Sequence, residues 1–283
     1  MKKASAGGRA TRQLGLPVRG PAVQLLGLPL PPRPMPARQG TRPLKRWRYV
    51  GVYGPELMLC VGEARVGPLP QRWWAIALPD GTLRERTTIR RGGVMVAPGR
   101  AEVAASKLRL SVSLGEVEGV ETVSPSADSW IWTRKQAGIP ARGVVELDGR
   151  HFEIEAEAVV DESAGYHERR TSWRWSAGVG RSVAGERVAW NLVAGVHDSP
   201  QASERSVWID EVAQEVPPVR FEPDLSGVGG LRFTEWSARE DHTNLLFFRS
   251  DYRQPFGTFS GELPGGLRLA EGYGVMESHD VRW

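Results

Sequence analysis

From Phe152 to Val160 every second residue is apolar (Phe152, Ile154, Ala156, Ala158, Val160), and Glu153, Glu155 and Glu157 stand between them. Successive side chains of a strand point to opposite faces of its sheet, so this segment is a strand with one buried and one wet side. No window of fifteen residues carries a convincing apolar period of 3.6, so helices are expected to be few and short. Asp80-Gly81 and Asp148-Gly149 each follow an apolar run, Trp74–Leu78 and Val144–Leu147. Such dipeptides suit the tight turn of a hairpin. Further apolar stretches at 188–196, 244–252 and 267–283 are separated by Ser-Gly-Val-Gly-Gly and Leu-Pro-Gly-Gly. The expectation is an all-β fold of antiparallel hairpins closing as barrels or a sandwich.

Charge is unevenly spread. The first 50 residues hold eleven Lys or Arg and no Asp or Glu, which leaves 26 basic and 33 acidic residues for the rest of the 283, a net of −7. An acidic body is a poor grip for a phosphate backbone, so no nucleic acid is expected on the folded part. The basic start is read as a Pro/Gly-rich tail over residues 1–42, either a solvated arm or a contact for nucleic acid or anionic lipid. The Leu28–Pro34 run is too rich in proline for a helix or a central strand. Residues 43–160 and 161–283 are then two barrel-like halves. Cys60 is the one cysteine, so no intrachain disulfide forms and a thiolate-rich metal site is excluded. With no apolar signal core and no spanning segment, stable membrane insertion is not expected and the cytoplasm is the simplest location.

The ten residues Tyr166–Trp175 hold five charged or imidazole side chains and three aromatics. Read with a period of two, His167, Arg169, Thr171, Trp173 and Trp175 share one face, opposite Tyr166, Glu168, Arg170, Ser172 and Arg174. The first set suits the wall of an apolar cavity with a few polar fixtures. By the same parity Tyr273, Val275, Glu277, His279, Val281 and Trp283 share a face. Two distant strands thus each aim an imidazole and a charged group inward, and unpaired burial is costly, so they are expected to pair across the interior, either as a polar network that fixes register and orders the chain's end or as the polar end of a functional pocket. The chain has eleven Trp, with Trp130 and Trp132 forming a second same-face pair. These indoles are either core filler or, in part, the lining of a ligand pocket.

The runs Asp161-Glu162-Ser163-Ala164-Gly165-Tyr166-His167, Arg169-x-Thr171-x-Trp173-x-Trp175-Ser176-Ala177-Gly178 and Trp190-Asn191-Leu192-Val193-x-Gly195-x-His197-Asp198 resemble the bacterial family called domain of unknown function 2804. So do Tyr252–Gly257 and Gly274–Trp283, and the likeness runs from about residue 28 to the end. More distantly, the chain is similar to the carotenoid hydratase and lipocalin-like cyclase group. That resemblance implies two lipocalin-like barrels, or a large sandwich, holding an isoprenoid or polyketide-like molecule. Asp161, His167, Trp173 and Trp175 echo the group's acidic-plus-histidine motif before a Trp-rich strand, at a wider spacing.

Acid-catalysed hydration or cyclisation of an alkene needs a proton donor, a dry pocket and aromatic faces to steady a cation. Asp161 or Glu277 is the expected donor, with His167 and His279 completing the candidate catalytic set. Arg169, Thr171, Trp173, Trp175, Asn191 and Tyr273 are the candidate ligand contacts. No Gly-x-Ser-x-Gly, phosphate-cradling Gly-x-x-x-x-Gly-Lys, His-Glu-x-x-His or dinucleotide fingerprint occurs, and the five histidines are scattered. No cofactor or metal is therefore expected. The expected partner is an apolar small molecule, either transformed or merely carried. A carbohydrate-binding sandwich with its Trp pairs on an exposed face is the third reading, and the oligomeric state is open.

Overall fold

The computed structural model describes residues 15–89, 92–245 and 248–283. Among these residues all strand pairs are antiparallel, in an 11-stranded sheet, an 8-stranded sheet and one two-stranded ribbon. The one helix among the described residues is the 3-10 segment Gly20–Leu26. No helix there is long and apolar enough to cross a membrane. The fold is all-β, as the alternation requires.

The first sheet runs from Val18–Arg19 to Arg150–Gly165 along the chain, and the second from Arg170–Ser182 to Arg268–Arg282. Asp148 and Gly149 both take positive φ (50° and 83°) between the strands Ser129–Leu147 and Arg150–Gly165. That is the left-handed geometry a two-residue hairpin turn asks of them. Residues 244–252 do not form the single strand their apolar content suggests. Gly230–Asn244 ends there and Arg249–Glu262 begins, and 246 and 247 lie outside the described residues.

Parity sorts the apolar side chains into separate cores. On Lys45–Tyr53, Met58–Val66 and Leu69–Ala77, the side chains of Val50, Val52, Leu59, Val61, Trp74 and Ile76 enter a core wholly within the first sheet. That sheet curls so that Val94–Ala97 and Arg100–Ala105 pack over Met58–Val66. The alternate residues Tyr49, Tyr53, Met58, Cys60, Ala75 and Ala77 face the second sheet, where Trp175, Ala177, Phe256 and Val275 meet them. On its far side the second sheet buries Trp190, Leu192, Phe259 and Met276 in a core of its own. The layer between the sheets is where the candidate site lies.

Residues 1–14 of the expected tail lie outside the described residues. From Gly15 the segment lies on the first sheet, with Val23 and Leu30 buried against Val123, Trp130, Trp132 and Tyr166. The Tyr166 hydroxyl donates to the Pro36 carbonyl at 2.8 Å, and Arg19 donates to Ser206 Oγ at 2.9 Å, tying the segment to both sheets.

Candidate functional site

A cavity of about 200 Å³ opens between the two sheets. Its first-sheet wall comes from Trp47, Tyr49 and Trp73, and from Lys135 and Asp161, which are cross-strand partners. Trp73 lies flat across its partner Gly62, where an added Cβ would sit 2.2 Å from the indole ring. The second-sheet wall comes from adjacent strands in register. Trp173 opposes His279 and Trp175 opposes Glu277, so the two inward faces read from the sequence become one surface.

Glu277 is the focus of one end. Its Oε1 accepts from the Trp173 indole N–H at 2.8 Å, and its Oε2 from Gln254 Nε2 at 2.8 Å and the Tyr252 hydroxyl at 3.3 Å. Burial disfavours the carboxylate more than these donors favour it, and pushes the Glu277 pKa up to about 7. His279 stands beside it, its ring 4.5 Å from Trp173 and 5.1 Å from Tyr252, with Nε2 2.9 Å from Ser250 Oγ. Burial lowers this imidazole to about 4, so it is neutral at pH 7.

The other end is built around Lys135. Its ammonium lies 2.5 Å from Asp161 Oδ1 and 3.3 Å from Glu204 Oε1. Burial works against that charge, but the two carboxylates outweigh it and hold the lysine above its usual range. Burial raises Asp161 as well, against the pull of Lys135. Glu204 and His197 come from the connection after the strand Arg187–Ala194, where the Glu204 amide donates to the His197 carbonyl. Burial takes His197 down to about 3 and His167 well below the usual imidazole range.

Of the residues expected from the sequence, Asp161, His167, Thr171, Trp173, Trp175, Glu277 and His279 line the cavity, and Arg169, Asn191 and Tyr273 do not. The strand before Tyr166 ends at Gly165 and the next starts at Arg170, so residues 166–169 are a connection and parity restarts after it. Arg169 consequently points outward and is exposed. Asn191 stands behind the wall. It accepts from Trp175 Nε1 at 2.8 Å and donates to the Glu204 carbonyl at 3.0 Å. Tyr273 packs by Trp236, with its hydroxyl 3.4 Å from Glu271. His167 and His279 do not pair with each other. Trp47 and Trp173 stack between them, ring against ring, at 6.4 Å.

Trp47, Trp73, Lys135, His197, Glu204, Arg239 and Tyr252 also line the cavity without having been expected there. Trp47 and Tyr49 alternate on one strand, a signal of the same kind as Trp173 and Trp175. The Trp130 and Trp132 pair is buried under the N-terminal segment instead, away from the cavity. Neither pair forms the exposed stacking face that a sugar-binding sandwich needs.

Solved structures of similar architecture include a protein of Nitrosomonas europaea assigned as AttH, at 13% identity and TM-score 0.50, the alignment covering 89% of this chain and 98% of that one. Another is kievitone hydratase from Nectria haematococca, at 9% identity and TM-score 0.50, covering 82% and 88%. At such identities the likeness is one of fold. No curated protein matches the chain in sequence. Residues 95–283 match the family described as Domain of unknown function (DUF2804), and the chain belongs to that family.

Proposed function

We propose that the protein binds an apolar, alkene-bearing small molecule between its sheets and that Glu277 protonates it, in a hydration or a cyclisation. One observation carries the reading. A carboxyl held near pH 7 by burial faces an indole-lined void, and its contacts are neutral donors. Asp161 is the weaker choice because the Lys135 ammonium sits on it.

Protonated Glu277 gives its proton to one alkene carbon, and the cation formed on the other is steadied by the faces of Trp47, Trp173 and Trp175. In a hydration, water adds to that cation and its surplus proton passes to neutral His279 and on to Glu277, restoring the acid. In a cyclisation, a second double bond attacks the cation instead, and the cyclised cation returns a proton to the Glu277 carboxylate as the product's double bond forms. The fold likeness to a hydratase supports the first course.

The test begins with mass spectrometry of an organic extract of the purified protein, followed by incubation of the ligand found in ¹⁸O-labelled water. Hydration adds one labelled oxygen, and the rate falls as pH rises through about 7, where Glu277 loses its proton. Glu277→Gln is expected to keep the ligand and lose turnover by at least about 10²-fold. Binding without any turnover in the unsubstituted protein would leave a carrier. Turnover that survives in Glu277→Gln would remove Glu277 as the acid.

A further inference from the structure

The acid just described occupies one end of the cavity, and the far end has its own unmet demands. Glu204 is 2% exposed, and while its Oε1 meets Lys135, its Oε2 has no hydrogen-bond partner among the described residues. His167 and His197 are 2% and 8% exposed, and among the described residues no side chain hydrogen-bonds any of their four ring nitrogens, the Gly165 backbone lying near His167. Thr133, fully buried, has an unpartnered hydroxyl. All four residues border the same void. Buried polar atoms without partners are costly and rare, so several converging on one space mark a place where another molecule completes the bonds.

We propose that this end holds a hydroxyl group of the ligand, an alcohol or phenol O–H that donates to Glu204 Oε2 and accepts from Thr133 or a neighbouring imidazole. The inference rests on the reading of the cavity as a site for an apolar molecule, and it adds the chemical class of that molecule's other end. The alternatives fail on the inventory of the wall. A carboxylate head has no proton for Glu204, and a phosphate head would add negative charge beside both Glu204 and Asp161. An ammonium would sit beside Lys135 and Lys45. The one other buried cation bordering this end, Lys45, already donates to the His167 carbonyl at 3.3 Å and lies 4.6 Å over the Trp283 ring. Both imidazoles stay neutral through burial, so each offers one N–H and one lone pair, which suits a group that gives and takes a hydrogen bond.

Four probes of nearly equal length separate the cases: 1-octanol, 1-methoxyheptane, octanoate and octylamine, titrated against the protein by tryptophan fluorescence. Octanol is expected to bind at least about tenfold more tightly than each of the others, as a hydrogen bond to a buried charged acceptor allows. Glu204→Gln and Thr133→Val should each cut that advantage to below about threefold while leaving methoxyheptane binding unchanged. Thr133→Val removes a hydroxyl that has no partner in the free protein, so it folds even if Glu204→Gln does not. Equal binding of octanol and methoxyheptane, a preference for octanoate or octylamine, or an octanol preference untouched by both substitutions would each overturn the hydroxyl site alone. Failure of all four probes to bind would overturn the apolar cavity together with it.

Discussion

Trp130 with Trp132 and Trp173 with Trp175 are the same pattern on two strands, and the protein uses them differently. The first pair is 6% and 4% exposed, sealed by Val23, Leu28 and Leu30, and has no part in the cavity. The second stands on adjacent-strand partners His279 and Glu277 and borders empty space. Parity tells which face a side chain takes. What lies over that face is decided by chain arriving from more than a hundred residues away. An indole pair is core where hydrocarbon covers it, and cavity wall where polar groups share its face and no side chain closes over it.

The contrast can be broken by truncating one member of each pair. Trp130→Ala should destabilise the protein by about 3–5 kcal/mol, as loss of a buried aromatic does, with ligand retention per folded molecule unchanged. Trp173→Ala should cost less stability, about 1–2 kcal/mol, because the ring is only partly buried and already faces a void, yet lose the bound ligand. Denaturant unfolding and extraction of the ligand measure both. Equal stability losses with the ligand kept in both would end the distinction.

Acid separates the same two regions. The Trp130 cluster is a packing of apolar and aromatic side chains, whereas the cavity is lined by the buried His167 and His197 and the partly buried His279, all three neutral at pH 7. The unfolded chain takes up protons on these histidines near pH 6.5, while folded His279 resists until about 4 and His197 until about 3. Their stabilising contribution is therefore complete above pH 6.5 and is lost as pH falls toward those values. His279 alone accounts for roughly 3 kcal/mol at 1.36 kcal/mol per pH unit. Replacing it with Gln should flatten the decline of unfolding free energy between pH 6.5 and 4, and an unchanged slope would mean that the imidazole is not dry.

The smallest alteration of the chain, one methyl group, is at Gly62. A methyl group there meets the Trp73 ring, so Gly62→Ala pushes the indole toward the cavity at a cost of about 1–3 kcal/mol. Weaker binding of 1-octanol per folded molecule would place Trp73 among the walls; unaltered binding would move it to the core.

Much of the architecture was written in local pattern. Asp148-Gly149 announces its hairpin because few other dipeptides tolerate two positive φ values, and the Phe152–Val160 alternation follows from one wet face. Half of the site was visible for the same reason, since Trp173, Trp175, Glu277 and His279 sit within unbroken strands. Arg169 was misplaced because the strand breaks at Gly165, and a break of four residues resets which way a side chain points. Lys135, His197 and Glu204 left no trace in any single segment. Their meeting depends on the connection between 195 and 205 folding back over a strand sixty residues earlier, and a run of residues does not encode its neighbours in another sheet.

Each sheet has a private hydrophobic core on the side turned away from its partner. The seam between them has packing of its own around Tyr53, Trp175 and Phe256, and a private core backs it on either flank. A lineage could exchange its wall residues one at a time, trading a broad indole for a slimmer side chain, and explore new cargoes while the scaffold on both flanks stayed intact.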